Sequence, residues 1–444
     1  MAYQAVSRDS NPANIQKFTV ISNEGTNYAS LLGKGSLSTL MYFESIMLDT
    51  IKIEYTFIDS GHTIDNKTAV EGLPIVGEER VLVKFSDNYE NELDLTMYIN
   101  KVTPITEDSI KSMYKFELTS REYILNEKIR INSRFDGKIS EHIKTIFTSP
   151  DFFGTEKNLD IEETNNNYNF IGGNKKGFYC TNFLSTRSVS ASGDFYGKTA
   201  GFFFFETSEG YKFKSIDTLL GQEKKRSYIY NNTSDARGDK IPEGYDGKIL
   251  EFSKDYRTDI QEKLKMGAYS TRTISFDPFN CYYAVSTHKA TDNEESMNTA
   301  AKNLPKLNPE FNRPGSNKEF SRTTYYLVDR GAIPTGSTET QLEKATELNF
   351  DSQNILNQAI MRYNQLFAAQ VVITIPGDFS LHAGDAIFIG LPDITSEDEI
   401  ISNKDSGLYI IADLCHLVSA TGTFTKLVLV RDSFGKKGTF TSGR

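Results

Sequence analysis

The first 120 residues constrain the fold most, because they are a succession of short apolar–polar stretches punctuated by turn residues. Phe18–Asn23, Leu37–Ile46, Thr50–Asp59, Arg80–Asp87, Leu93–Val102 and Tyr114–Tyr123 suit strands. Val81-Leu82-Val83-Lys84-Phe85 and Met113-Tyr114-Lys115-Phe116-Glu117-Leu118 carry the period of two that half-buries a strand. Gly25, Gly33, Ser60-Gly61, Gly77 and Asp87-Asn88 supply the turns. Short strands at regular turns predict an antiparallel sheet or small barrel.

The pattern then changes. Gly137–Phe147 has apolar residues at 139, 143, 146 and 147, a helical spacing with Ser140 as its N-cap. A polar stretch, Glu156–Asn169, precedes a second helix over Phe178–Val189, so this middle part reads as α+β. Gly201–Asp217 reads as a hairpin turning at Ser208-Glu209-Gly210. Its Phe202–Phe205 run sets rings on both faces, as in a strand buried deep in a domain or against another chain. Ser253–Met266 reads as helical and Tyr269–Ser286 as extended. From His288 to Phe350 the chain is polar with little periodicity, a surface insertion or partly mobile domain. A helix over Asp351–Phe367 leads into strands at Ala369–Ile375, Ala386–Gly390, Gly407–Val418 and Phe424–Val430, with turns at Gly377-Asp378 and Gly384-Asp385. This C-terminal block again has a small β-barrel pattern.

The two terminal blocks share a repeat. Residues 97–105 followed by 114–123 match residues 408–418 followed by 425–434: a Tyr-led strand, a connection, a Lys-led strand and an Arg-acid pair. The Arg falls one residue out of register.

Composition bounds the function. A chain of 444 residues exceeds one compact core and predicts about two to four domains. Aromatics are 12%, all Tyr and Phe, which suits pleated surfaces. The net charge of −10 leaves no basic nucleic-acid footprint, while an acidic lumen would let DNA slide without sticking. Cys180, Cys281 and Cys415 are widely spaced and read as reduced, small apolar residues. The N-terminus has no apolar core of a secretory signal, and Phe367–Ile375 falls short of the roughly 18 residues a spanning helix needs, so no stable membrane insertion is expected.

No catalytic, cofactor-binding or metal-ligating set emerges. His62, His142, His288, His382 and His416 include no HExxH and no pair spaced to share a metal. Cys415 and His416 are adjacent on a strand and point to opposite faces, so they make no dyad. His382 reads as a turn residue. Gly33-Lys34-Gly35 and Gly172–Gly177 are not phosphate loops, and no G-x-S-x-G elbow occurs. Arg237-Gly238-Asp239 reads as a chance adhesion tripeptide, and Asn66-Lys67-Thr68 and Asn231-Asn232-Thr233 as unused glycosylation acceptors.

Three ordered stretches resemble the central baseplate hub of T-even-like contractile phages, a fold shared with the hub portion of VgrG proteins. The first is Gly72–Asp87 with Met113–Phe147, which carries a Pro-Ile-x-Gly-x-Glu lead, an Arg-Glu-x-Ile-Leu exit and a Gly-Lys-Ile-Ser helix start. The second is the hairpin Gly201–Leu220. The third is Ile360–Pro392 with the Ser-Gly-x-Tyr strand and the Arg431-Asp432-Ser433 exit. Together they cover about half of the chain.

The resemblance implies a β-dominated α+β fold with two similar small antiparallel β-barrel tube domains plus accessory α+β domains, assembling as a ring. The divisions are 1–123 (first tube-type barrel), 124–200 (accessory α+β), 201–287 (start of the second tube domain and adjoining elements), 288–350 (polar insertion), 351–434 (remainder of the second barrel) and 435–444 (flexible tail). It implies a homotrimer whose duplicated barrels make a pseudo-six-fold ring between a hexameric tail tube and a trimeric tail spike, with other baseplate proteins around it and DNA passing through the lumen. Such a ring should bury well over roughly 2,000 Å² per interface. The virion tail baseplate is the implied location, with assembly in the host cytoplasm. Phe203, Phe205, Tyr409 and Leu429 are the candidate interface residues. A VgrG-like hub of a secretion or other contractile injection machine is the alternative; since the sequence stops at Arg444 without a β-helical spike, the spike is expected as a separate protein. A spike-associated cell-wall hydrolase is a further alternative, which a lysis assay separates. A carbohydrate-binding tail component is disfavoured by the absence of Trp.

Overall fold

The computed structural model describes residues 10–23, 28–31, 36–61, 66–108, 110–191, 199–230, 241, 244–255, 260–278, 280–289, 297–301, 304, 308–311, 320–329, 331–332, 336–346, 352–391 and 405–433. His62, Asn231–Thr233, Arg237–Asp239 and the tail 435–444 lie outside them. The N-terminal part holds β1 (Asn14–Ile21), β2 (Tyr28–Ser30), β3 (Ser36–Ser45), β4 (Lys52–Asp59), α1 (Ala69–Gly72), β5 (Arg80–Ser86), β6 (Glu92–Glu107) and β7 (Ser112–Thr119). Ladders run β3-β4-β7-β6-β5-β1-β2, all antiparallel. The period-two reading holds: Val81, Val83 and Phe85 on β5 and Tyr114, Phe116 and Leu118 on β7 face one core. The Pro-Ile-x-Gly-x-Glu lead is a turn closed by its own acid. Glu79, buried, accepts from the N–H groups of Val76 and Gly77 and from Asn23 Nδ2, while Ile75 enters the core.

Strand β7 stops at Thr119, and Ser120 is the N-cap position of α2 (Arg121–Lys128). Arg121–Tyr123, expected as strand, is therefore the first helical turn. Glu122 is buried there against Lys157. The middle part continues with β8 (Arg134–Phe135), α3 (Ile139–Thr148), β9 (Leu159–Ile161), β10 (Phe170–Ile171), α4 (Gly177–Ser185), β11 (Phe202–Thr207), β12 (Gly210–Ser215) and α5 (Ile216–Gly221). Ser140 is not the cap of α3: Lys138 holds that position, and the Ser140 hydroxyl instead takes the Thr164 N–H. The hairpin β11–β12 pairs with β9, so its ladder belongs with the middle elements. Every residue of β11 is buried. Phe202 and Phe204 pack with α3 and α4, and Phe203 and Phe205 pack with the C-terminal strands.

Next come β13 (Arg226–Ile229), β14 (Gly247–Lys248), β15 (Glu251–Asp255), α6 (Ile260–Met266), β16 (Ser270–Asp277), β17 (Tyr282–Lys289), β18 (Arg322–Leu327), α7 (Thr338–Thr346), α8 (Ser352–Leu366), β19 (Ala369–Pro376), β20 (Ala386–Gly390), β21 (Gly407–Ser419) and β22 (Thr423–Arg431). Ser253–Asp255, expected as helix, is strand, laid antiparallel on β19. The polar segment 288–350 contributes more than surface. Its β18 runs parallel to β16 in a three-stranded sheet, and Met297, Ala300, Ala301 and Leu304 are buried. Two alanines in this run allow close approach: the N–H of Ala300 donates to Asp432 Oδ1 and that of Ala301 to Ser433 Oγ.

The C-terminal ladder is β15-β19-β22-β21-β20-β13-β14. Among the described residues neither terminal ladder closes on itself as a barrel. They merge into one 14-stranded sheet, and a single apolar core runs from Phe18 to Leu429 through both.

Candidate functional site

Among the described residues the densest polar networks lie where the parts of the chain meet, and these are the sites of interest. The two terminal ladders join edge to edge. The far half of β21 lies antiparallel on β3, with Asp413 opposite Ser45, Cys415 opposite Phe43, His416 opposite Tyr42 and Ser419 opposite Thr39. The near half of β21 holds β20 along the same edge. Between them the bulged Ala412 accepts the N–H of Ile46.

Polar groups fasten this joint. Glu44 on β3 is fully buried. It accepts from the Tyr42 hydroxyl (2.5 Å), the N–H of Ser208 (2.9 Å) and the N–H of Ala383 (2.7 Å), and it pairs with His382 Nδ1 (3.2 Å). Burial pushes its carboxyl up, but the hydrogen bond and charge of His382, with those other donors, bring it below the ordinary range. For His382 burial works downward, and the bond and charge of Glu44 overcome it, holding the imidazole above its ordinary value. His416 lies beside this pair, stacked on Tyr42 and sharing a hydrogen bond of 2.9 Å with Thr425 Oγ1. Burial drives its pKa down to about 4. The acids of the predicted turns hold the joint: Asp378 accepts from the Tyr228 hydroxyl, Asp385 from the His382 N–H and Lys225, and Asp87 of the first part accepts the Phe379 N–H.

Two further clamps hold the middle part. Lys157 lies between Glu122 (2.8 Å) and Glu206 (2.6 Å). Glu206 also accepts from Ser120 Oγ and from the N–H of Ile51, tying β11 to the adjacent end of β7 and start of β4. Arg362 on α8, buried, donates to Asp217 (2.9 Å), Asp432 (3.2 Å) and the Asn298 carbonyl (3.0 Å). The Arg-Asp-Ser exit of the last strand is thus the anchor for residues 297–301.

The repeat becomes geometric in the ladders. Hairpin β6–β7 sets Ile99 opposite Leu118, bulges at Asn100, and resumes with Lys101 opposite Glu117. Hairpin β21–β22 sets Ile411 opposite Leu429, bulges at Ala412, and resumes with Asp413 opposite Val428. With the bulges aligned, the neighbours agree as well. Arg80 meets Tyr98 where Ala386 meets Ile410, and Ile53 meets Leu118 where Val371 meets Leu429. So β3, β4, β5, β6 and β7 correspond to β15, β19, β20, β21 and β22. The tyrosines matched by sequence are not equivalent: Tyr98 corresponds to Ile410, one residue after Tyr409.

The four candidate interface residues all lie in this chain's own core. Phe203 is 6% exposed, and Phe205, Tyr409 and Leu429 are fully enclosed. Sequence reasoning saw their apolarity but not which surface consumes it. Two strand edges are available instead. Lys101–Glu107 on β6 pairs only with β7, and β15 pairs only with β19, among the described residues. Cys180 is buried, Cys281 exposed and Cys415 half-buried. Among the described residues no His, Cys, Asp and Glu group could hold a metal ion, and no helix is long and apolar enough to cross a membrane.

Comparison with known proteins agrees with the ordered motifs. The chain is 24% identical over 367 residues to a probable baseplate hub protein of Vibrio phage KVP40, covering 80% of this chain and 73% of the relative. The tail protein from Neisseria meningitidis matches with a TM-score of 0.53 at 9% identity, over 94% of this chain and 96% of its own. The 43 kDa tail protein of prophage MuSo2 from Shewanella oneidensis matches with a TM-score of 0.51 at 10% identity, over 94% and 98%. At such identities these two likenesses are of fold. No family model matches.

Proposed function

We propose that this chain is the structural central hub of a phage tail baseplate: a non-enzymatic homotrimer with pseudo-six-fold symmetry that adapts a hexameric tail tube to a trimeric tail spike and encloses the DNA channel. The observation that carries the reading is the duplicated hairpin with its bulge in the same place, Asn100 in one ladder and Ala412 in the other. A chain carrying two equivalent ladders presents six from three copies, which resolves a three-to-six mismatch without a second protein. The likeness to a phage baseplate hub protein supports the same reading. The net charge of −10 suits a lumen that lets DNA pass without specific binding. Tube, spike and other baseplate proteins are the partners, the virion tail baseplate is the location, and assembly is in the host cytoplasm.

Light scattering and electron microscopy of the purified protein test this. A particle of three chains, ring-shaped with a central hole and six similar lobes, is expected. A monomer that binds neither tube nor spike protein would overturn the reading.

A further inference from the structure

The ladders that join within the chain have equivalents that do not. Inside the chain, β21 beyond its bulge pairs with β3. The equivalent of β21 is β6, and beyond its bulge Lys101–Glu107 has a vacant edge among the described residues. The equivalent of β3 is β15, whose edge away from β19 is likewise vacant. One chain thus ends in the two halves of a joint it has already made once.

We infer that these edges pair between copies: β6 of one chain beyond Asn100 lies antiparallel on β15 of the next, in the register that β21 and β3 use internally. This rests on the ring reading and specifies its seam. The register follows from the ladders. Tyr42 meets Ile53 where Lys254 meets Val371, so Tyr42 corresponds to Lys254 and Phe43 to Asp255. On the other side Cys415 corresponds to Thr103 and His416 to Pro104. The internal opposition of Cys415 and Phe43 becomes Thr103 opposite Asp255 of the next copy. The opposition of Leu417 and Met41 becomes Thr106 opposite Ser253, because Ile105 is an additional bulge. The surfaces suit a partner. Pro104, Ile105 and Thr106 are exposed, Ile105 by 50%, and Val102 and Phe252 lie half-buried at the margins of the shared core. A proline on this strand is at home on an edge. An unprotected edge of this length invites another strand, and a second copy supplies one of matching length and register.

Cysteine pairs test the seam in a Cys281→Ser background. Phe43→Cys, opposite native Cys415, should close within the chain and calibrates the geometry. Thr103→Cys with Asp255→Cys should link copies, carrying most of the protein to covalent trimer on a non-reducing gel, and Thr106→Cys with Ser253→Cys repeats the test along the ladder. Each single variant should stay unlinked. If light scattering reports a trimer but neither pair links, the seam is wrong and the ring stands. If the protein is a monomer at every concentration and neither pair links, ring and seam both fall.

Discussion

Lys157 carries two buried carboxylates at once. Burial pushes Glu206 up despite the lysine, while for Glu122 the charge of Lys157 outweighs burial and brings it down. Lys157→Met would strand both acids. It should cost about 3 kcal/mol, the lower end for a broken buried pair because the lysine keeps 29% of its side chain exposed. Urea unfolding measures the loss, and adding Glu206→Gln should recover part of it; a loss within experimental error would mean the acids are already protonated. His416 sets a pH dependence. Its folded pKa of about 4 lies below its ordinary 6.5, so between those values the unfolded chain binds a proton that the folded chain refuses. Stability therefore falls as pH drops through that window, by at most about 3 kcal/mol. The neighbouring imidazole acts oppositely: His382 is raised, so its contribution is present at low pH and lost as pH rises through its folded value. Glu44 is lowered, and its contribution is lost only as pH falls below the ordinary carboxylate range. Melting temperature against pH should show the His416 slope in the parent and not in His416→Leu, where Thr425 Oγ1 still accepts from the Asp378 N–H.

Strand β11 shows what elements need from each other. Its four phenylalanines serve two cores by alternation, and Gly384 lies against Phe205. A Cβ on that glycine would come within 2.7 Å of the Phe205 ring, and its φ of +85° already favours glycine. Phe205→Ala should cost about 3–5 kcal/mol. Gly384→Ala should also destabilise, and the double variant should lose less than the sum, since one change removes what the other strikes. Strict additivity in denaturant unfolding would refute the contact. These elements differ in how legible they were. The strands β5 and β7 were readable because alternation survives when one face is buried. Strand β15 was not, because Glu251–Asp255 is a short edge whose identity comes from β19, more than a hundred residues later. Residues 297–301 looked like solvated chain, because two alanines do not reveal that Asp432 and Ser433 will receive their N–H groups.

At the scale of the whole molecule, the repeat was visible as a pair of Tyr- and Lys-led strands but out of register by one. A period-two pattern fixes which face is buried and leaves the bulge unplaced, and only the ladders align Asn100 with Ala412. The joint between β3 and β21 spans most of the chain and left no local trace. Its counterpart between copies has a thermodynamic consequence. If assembly buries the edge of β6, folding is linked to association, and the melting temperature rises with protein concentration. Ile105→Asp places a charge on that edge at a residue half-exposed within one chain, so desolvating it on assembly is costly while the isolated fold is little affected. The variant should therefore melt like the parent at the lowest concentration and fail to gain stability as concentration rises. Calorimetry over a hundredfold dilution series separates the outcomes. Parallel curves for parent and variant would place the association surface elsewhere, and a variant that melts early at every concentration would mean that Ile105 serves the fold of one chain instead of the contact between two.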